Sequence, residues 1–264
     1  MGDRGMFDLS GRVAVVTGGG YGIGRSICEA MAEFGADVAI ADIKEELAHE
    51  TAGMIARFGH RTLSIKVDVS VNADVERMAN EIVSKWGSID ILVNNAGFLI
   101  GDSPVHETTE ETWDRMMAVN LKGVFLCTRA VLPVMLKQKR GSIINTASVG
   151  GILPGMRHLN TVAYDVSKGA IITFTRKMAA EYGRDGIRIN AIAPGMIADT
   201  HFAAERRASR SKEEAAKMHE TWTNRMALGR FGRPDELKGI AVYLASDASS
   251  YATGQVFVID AGLS

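Results

Sequence analysis

Seven short runs rich in Val, Ile, Ala and Leu recur along the chain, with amphipathic helical stretches between them. They fall at 12–17, 37–42, 62–67, 89–93, 141–146, 188–193 and 256–259. Strand-helix alternation at this spacing implies parallel βαβ units. The runs are nearly continuously apolar, as strands are when helices cover both faces of their sheet. The expectation is an α/β chain: a doubly wound parallel sheet of about seven strands. The 264 residues, 46% hydrophobic, suffice for one such unit with a substantial core. No linker, repeat or low-complexity segment divides the chain, which predicts a single domain over 1–264.

The first predicted strand and the helix predicted over 22–34 are joined by Thr17-Gly18-Gly19-Gly20-Tyr21-Gly22-Ile23-Gly24. Glycines allow positive φ and let backbone approach a pyrophosphate closely, and the following helix points its positive end at the phosphates. The spacing is Gly-x-x-x-Gly-x-Gly. Asp42 ends the second strand, 18 residues after Gly24. A carboxylate about 20 residues on accepts hydrogen bonds from the adenosine ribose and repels a 2′-phosphate. NAD is therefore expected in preference to NADP, with Lys44 and Arg25 as the nearby bases that would argue otherwise. Asp42 also suits the N-cap of the helix predicted over 44–58.

Tyr164 and Lys168 stand four residues apart, about one helical turn. Side chains at that spacing share a face, roughly 5–6 Å apart at Cβ. A tyrosine of pKa near ~10 needs roughly 4 kcal/mol to titrate at about 7. An ammonium ~4 Å away at an effective dielectric of ~20 supplies that much. The spacing can thus make an acid/base, although surface helices show the same pattern by chance.

In order along the chain, Thr17–Gly24, Asn94-Asn95-Ala96-Gly97, Ser148, Tyr164-x-x-x-Lys168 and Pro194-Gly195 resemble the motifs of the short-chain dehydrogenase/reductases, from about residue 7 to the C-terminus. The resemblance implies the Rossmann arrangement and a role for each matching position. Gly18, Tyr21, Gly22, Ile23 and Gly24 would hold the cofactor phosphates, and Asp42 the ribose. Asp68 and Val69 would contact adenine. Asn94, Ala96 and Gly97 would support the central sheet and line the cofactor. Asn120 would hold a water linked to the lysine, and Ser148 would orient the substrate oxygen. Tyr164 would be the acid/base, with Lys168 on the nicotinamide ribose. Pro194, Gly195 and Ile197 would pack on the nicotinamide. Hydride transfer to or from a carbonyl carbon must be matched by proton transfer at its oxygen, and this set supplies both needs. A dinucleotide-binding regulator without chemistry is the alternative; it need not keep Asn120, Ser148, Tyr164 and Lys168 together.

Two departures touch the substrate. Ser148 and Tyr164 are 16 residues apart, a few more than usual in the family, with the extra length in 153–160. This segment carries Arg157, His158 and Asn160. Asp199 stands where a threonine usually comes, and Thr200 follows it. The charged stretch 199–225, with Arg206, Arg207 and Arg210, reads as a lid over the sheet's carboxyl edge or as a solvated helical pair. Arginines suit carboxylate recognition, so a polar substrate such as a sugar acid or polyol is expected. A 3-oxoacyl thioester or simple ketone is the alternative. The C-terminal stretch 229–250 is similar to both gluconate 5-dehydrogenases and 3-oxoacyl-carrier-protein reductases.

The remaining signals are exclusions. A net charge of −1 offers no case for nucleic acid or an anionic membrane. The most apolar segment, 124–136, carries Arg129 and Pro133 and is short for a bilayer. No histidine pair has metal-ligand spacing, so no metal site is expected. Cys28 and Cys127 read as buried reduced thiols. With no apolar leader near residue 1, a cytoplasmic location is expected. The family resemblance implies a homotetramer built through helices near 111–137 and 161–183 and the last strand.

Overall fold

The computed structural model describes residues 5–100, 103–153, 161–200 and 211–264. Seven strands form one sheet in the order β3-β2-β1-β4-β5-β6-β7. They are β1 (Val13–Thr17), β2 (Asp37–Asp42), β3 (Thr62–Lys66), β4 (Ile91–Asn94), β5 (Gly141–Thr146), β6 (Ile187–Pro194) and β7 (Val256–Ile259). Every neighbouring pair is parallel, with Val15 opposite Ala39 on one side of β1 and Leu92 on the other. The order reverses between β1 and β4, which opens a crevice at their carboxyl ends.

The helices are α1 (Gly22–Glu33), α2 (Glu45–Ile55), α3 (Asn72–Trp86), α4 (Glu110–Met117), α5 (Gly123–Gln138), α6 (Val162–Tyr182), α7 (Lys212–Thr223) and α8 (Lys238–Ala245). They cover both faces of the sheet. Along β1, Val13 and Val15 face a core shared with Met78, Ile82, Leu126 and Met135 of α3 and α5. Ala14 and Val16 face the opposite core, with Ile27, Met31, Ile55 and Leu244. Every residue of β1 is buried. Burying each Val, Leu or Ile stabilises the fold by about 1.5–3 kcal/mol, so selection for apolar side chains acts at every strand position. That is why the runs lack polar alternation.

The expected strands all occur, with ends shifted by a residue or two. The largest shift is in β4, expected from 89 and seen from Ile91. The ladder nonetheless starts at Asp90, whose N–H donates to the Val13 carbonyl at 2.9 Å. The apolar segment 124–136 lies within α5, which continues through Arg129 and Pro133. With α4 and the turn between them it forms a 29-residue helical run, Glu110–Gln138, that by length and composition alone would suit a membrane. Here Val124, Leu126, Cys127, Val131, Leu132 and Met135 are buried against the sheet instead.

Between α4 and α5, residues Ala118–Lys122 form a π turn, closed by the Gly123 N–H donating to the Ala118 carbonyl. Single π turns inside helices insert one residue and re-aim the side chains around it. The re-aimed residue here is Asn120, fully buried.

Candidate active site

A cavity of about 1130 Å³ lies at the carboxyl ends of the central strands. Its floor starts with the glycine turn. Gly18 adopts φ +63, and a β-carbon there would lie 2.9 Å from Ala96 Cα. A β-carbon on Gly24 would lie 2.0 Å from the Gly18 carbonyl oxygen, so α1 can enter this close to β1 only without a side chain. The turn is pinned from behind: the Gly20 carbonyl accepts from Arg25 Nε at 2.9 Å, Arg25 Nη2 at 2.6 Å and Thr51 Oγ1 at 3.2 Å. Asn95 Nδ2 donates to the carbonyls of Thr17 and Gly18, both at 3.1 Å. Thr17 Oγ1 accepts from the N–H groups of Asn95 and Ala96. Tyr21 and Ile23 line the cavity. Gly22, at φ +56, packs beside Asp199 and Thr200.

Asp42 is outside the cavity lining and sits against the glycine turn. Its Oδ2 accepts the Gly20 N–H at 2.9 Å and its Oδ1 the Lys44 N–H at 3.0 Å. The capping expectation fails, because α2 starts at Glu45 with Lys44 at the cap. Arg25 Nη1 is tied to Glu50 at 3.0 Å. Asp68 turns its Oδ1 to Ser70, accepting from N–H at 2.9 Å and Oγ at 2.6 Å. Val69 is buried and packs where a Gly123 side chain would otherwise sit. The side chain of Asn94 also points into the protein, donating to Thr128 Oγ1 at 3.2 Å and Asn145 Oδ1 at 2.9 Å. Its neighbours Asn95 and Gly97 are the members of that motif that line the cavity.

Ser148, Tyr164 and Lys168 converge on the same cavity. Ser148 ends β5's extension and caps a short 3-10 turn, its Oγ accepting the Gly150 N–H at 3.1 Å. Tyr164 and Lys168 occupy successive turns of α6, and the Lys168 ammonium lies 5.6 Å from the Tyr164 ring centroid. Lys168 is buried and donates to the Thr146 carbonyl at 2.8 Å. Burial pulls its pKa down from 10.5 to about 8. Asn120 is fully buried beside Lys168 and the 97–99 segment. Its Oδ1 accepts the Phe98 N–H at 2.9 Å and its Nδ2 donates to the Phe98 carbonyl at 2.9 Å. Its side chain thus holds the 97–99 segment against the cavity, close to where Gly97 meets Lys168 Nζ.

The far wall follows β6. Pro194, Gly195 and Ile197 line the cavity. The Gly195 N–H donates to the Ile259 carbonyl at 2.9 Å, and the segment is strapped to Gly232 by Ala198 N–H at 2.8 Å and by Gly232 N–H to Met196 at 3.0 Å. Asp199 and Thr200 both border the cavity, so the one-residue delay of the threonine does not remove it from the wall. Helix α7 lines the cavity with Ala215, Met218 and His219, the last packed against Phe231 with ring centroids 4.6 Å apart and the planes tilted by 53°. Residues 201–210 of the expected lid, including Arg206, Arg207 and Arg210, lie outside the described residues. So do Arg157, His158 and Asn160.

Among the residues at this site that the sequence did not single out are Thr17, Asn95, Asp165 and Phe231. Thr17 and Asn95 lie within the glycine-turn and Asn-Asn-Ala-Gly motifs and Asp165 within Tyr-x-x-x-Lys; Phe231 carries no local signal. Among the described residues no cluster of three or more His, Cys, Asp or Glu has the makings of a metal site. Cys28 and Cys127 are free and buried, and burial pushes both thiols up, Cys127 to about 12.

The family model described as Enoyl-(Acyl carrier protein) reductase matches residues 18–264. A 3-oxoacyl-[acyl-carrier-protein] reductase of Thermotoga maritima is 39% identical over 259 residues, 97% of this chain and 98% of that one. The 2-(S)-hydroxypropyl-CoM dehydrogenase 3 of Xanthobacter autotrophicus is 36% identical over 257 residues, 97% of each. The crystal structure of a short-chain type dehydrogenase/reductase from Mycobacterium marinum superposes with a TM-score of 0.89 at 37% identity, covering 98% of both chains. Sheet order, glycine turn and full-length similarity agree: the chain belongs to the short-chain dehydrogenase/reductases, oxidoreductases that act on CH–OH groups with a nicotinamide dinucleotide.

Proposed function

We propose that the protein is an NAD-dependent dehydrogenase/reductase of secondary alcohols and ketones, with Tyr164 as its acid/base. One observation carries this reading: a buried ammonium, Lys168, lies beside the Tyr164 ring in the cavity that the glycine turn and Ser148 also line. The turn fits a dinucleotide, because Gly18 and Gly22 take positive φ and the turn leads straight into the N-terminus of α1, whose N–H groups suit phosphates. A nicotinamide dinucleotide held there would supply the hydride acceptor for alcohol oxidation and the hydride donor for carbonyl reduction. Gly18, Tyr21, Gly22, Ile23 and Gly24 would hold the phosphates. Gly97, Pro194, Gly195 and Ile197 would hold the nicotinamide end. Asp68 and Val69 would offer the adenine their backbone, since the Asp68 carboxylate is turned to Ser70 and Val69 is buried. Asn94 and Ala96 would act from beneath, by fixing the turn.

In the oxidative direction Tyr164 takes the proton from the substrate hydroxyl, and in the reductive direction it returns it. Ser148 Oγ–H donates to the same oxygen as charge develops there. The Lys168 charge, held beside the Tyr164 ring, favours the phenolate. Asn120 places Phe98 and Gly97 over this group. The NAD preference is supported by Asp42, whose carboxylate meets the Gly20 N–H of the glycine turn, and by Arg25, which spends its donors on Gly20 and Glu50.

The substrate reading is a hydroxylated molecule such as a polyol or sugar acid. The described walls also include Leu99, Leu153, Met196, Met218 and Phe231, which favour the alternative of a simple ketone or 3-oxoacyl thioester. We further propose a single catalytic domain over 1–264, a cytoplasmic homotetramer, and no nucleic-acid or membrane partner. The test is NADH absorbance with polyols, sugar acids, secondary alcohols and β-hydroxyacyl thioesters, repeated with Tyr164→Phe. That variant should lose about 10²–10⁴-fold or more in kcat with its NAD affinity nearly intact. More than half of wild-type turnover would rule the mechanism out.

A further inference from the structure

Asp165 follows the proposed acid/base directly, and it also lines the cavity. Its Oδ1 lies 2.2 Å, and Ser148 Oγ 3.5 Å, from the point a β-carbon on Gly150 would occupy. The two oxygens therefore border one small space, and residue 150 must be glycine for the carboxylate to enter it. Asp165 Oδ2 accepts from Thr161 Oγ1 at 2.8 Å, which fixes the side chain in the first turn of α6. Negative charge is tolerated there by the helix dipole. Among the described residues one other carboxylate lines the cavity, Asp199, and it packs by Gly22 on the phosphate side.

We infer that Asp165 is a specificity-determining group, which accepts a hydrogen bond from a donor on the carbon next to the reacting one. The inference rests on the proposed reaction, since Ser148 Oγ is what places the reacting oxygen. A substituent one carbon–carbon bond away then reaches the space that Asp165 borders. A carboxylate accepts from a hydroxyl or an ammonium and repels another carboxylate. The substrate class is accordingly a vicinal diol with its α-hydroxy ketone, or the corresponding amino alcohol. A hydroxy acid with its carboxylate on that carbon is disfavoured, which turns the sugar-acid expectation toward neutral polyols.

The experiment compares cyclohexanol, 1,2-cyclohexanediol, 2-aminocyclohexanol and 2-hydroxycyclohexanecarboxylate on wild type, Asp165→Asn, Asp165→Ala and Gly150→Ala. Wild-type kcat/KM should favour the diol or the amino alcohol over cyclohexanol by at least about tenfold, the scale of one hydrogen bond to a charged group. Whichever of the two leads identifies the donor. The ratio should fall about tenfold in the Asp165 variants. Gly150→Ala should lower it too, because the new methyl displaces Oδ1 while leaving the carboxylate in the chain. If none of the four is oxidised, calorimetric dissociation constants for the NAD-loaded enzyme read the same ratio. A purely structural Asp165 would depress all substrates alike, and an unchanged ratio overturns the inference. So does a wild-type preference for cyclohexanol or for the hydroxy acid. Retained turnover in Tyr164→Phe would instead remove the underlying reaction, so the two failures are distinguishable.

Discussion

Lys168 bears two opposed demands. Its charge is useful beside Tyr164, yet burial disfavours that charge and brings its pKa from 10.5 to about 8, roughly 3 kcal/mol against the charged form. Below about pH 8 folded and unfolded chains both carry the proton, so folding bears the full cost. Between about 8 and 10.5 only the unfolded chain still holds it, and stability rises with pH across that window. Lys168→Met loses the bond to Thr146, worth about 1–3 kcal/mol if the carbonyl is left bare, but removes the charge penalty. It should be at least as stable as wild type at pH 7 and lose ground to it as pH rises to 10.5, while turnover collapses. Paired thermal melts at pH 7, 9 and 10.5 read this, and a gap that widens in favour of Met would contradict it. Asp42 is the second informative residue. Asp42→Ala should weaken NAD about 10–150-fold, the equivalent of about 1.5–3 kcal/mol, and narrow the preference over NADP. A wild type with higher kcat/KM on NADP would show the assignment to be wrong. Both residues were legible because their signal is local: a spacing of four, or a carboxylate at a strand end. Asp165 escaped notice because its meaning depends on Gly150, which the fold alone brings beside it.

Elements were legible where burial imposed a pattern on many consecutive residues. The strands were visible because β1, β4 and most of β5 and β6 are enclosed on both faces. The π turn was not, because Ala118–Lys122 differs from ordinary helix only in where its hydrogen bonds close. Asn120 was picked out by resemblance, but its engagement with Phe98 follows from that turn. The charged stretch 199–225 left two readings open, and α7 shows why: its outer side is solvated as in any surface helix, while Ala215 and Met218 face the cavity. A pair of glycines tests how tightly the first βα unit is constrained. Gly24 and Gly53 both lie within helices, α1 and α2. Nothing approaches a β-carbon on Gly53, so Gly53→Ala should stabilise by about 0.4–1 kcal/mol through reduced chain entropy. Gly24→Ala must push α1 off the Gly18 carbonyl and should cost about 1–3 kcal/mol or more, with weaker NAD binding. Urea midpoints and NAD titration of the two variants measure this. Equal midpoints would mean that the α1 entry is not close-packed as described.

At the scale of the whole molecule, the surface carries large apolar side chains that the fold itself does not cover. On α5, Phe125 is 43% exposed; on α6, Val162 is 37% and Val166 47% exposed. Both helices pack on the same face of the sheet, so their outer sides look the same way. The edge strand β7 adds Val258, 37% exposed, beside unpaired backbone. Scattered apolar residues are ordinary on a monomer, but a helix face and an open sheet edge that both expose them favour association. A second copy is the occupant that the proposed tetramer supplies. On α6, Val162 and Val166 alternate with Tyr164 and Lys168, so a neighbour seated on the valines would brace the helix that carries the proposed proton-transfer groups. Sedimentation at micromolar concentration should give a particle of about four 28.4 kDa chains. Phe125→Glu with Val166→Glu should split it, leave the circular dichroism spectrum intact and lower kcat more than NAD affinity. A monomeric wild type, or a split variant with full kcat, would separate the chemistry of this fold from its assembly.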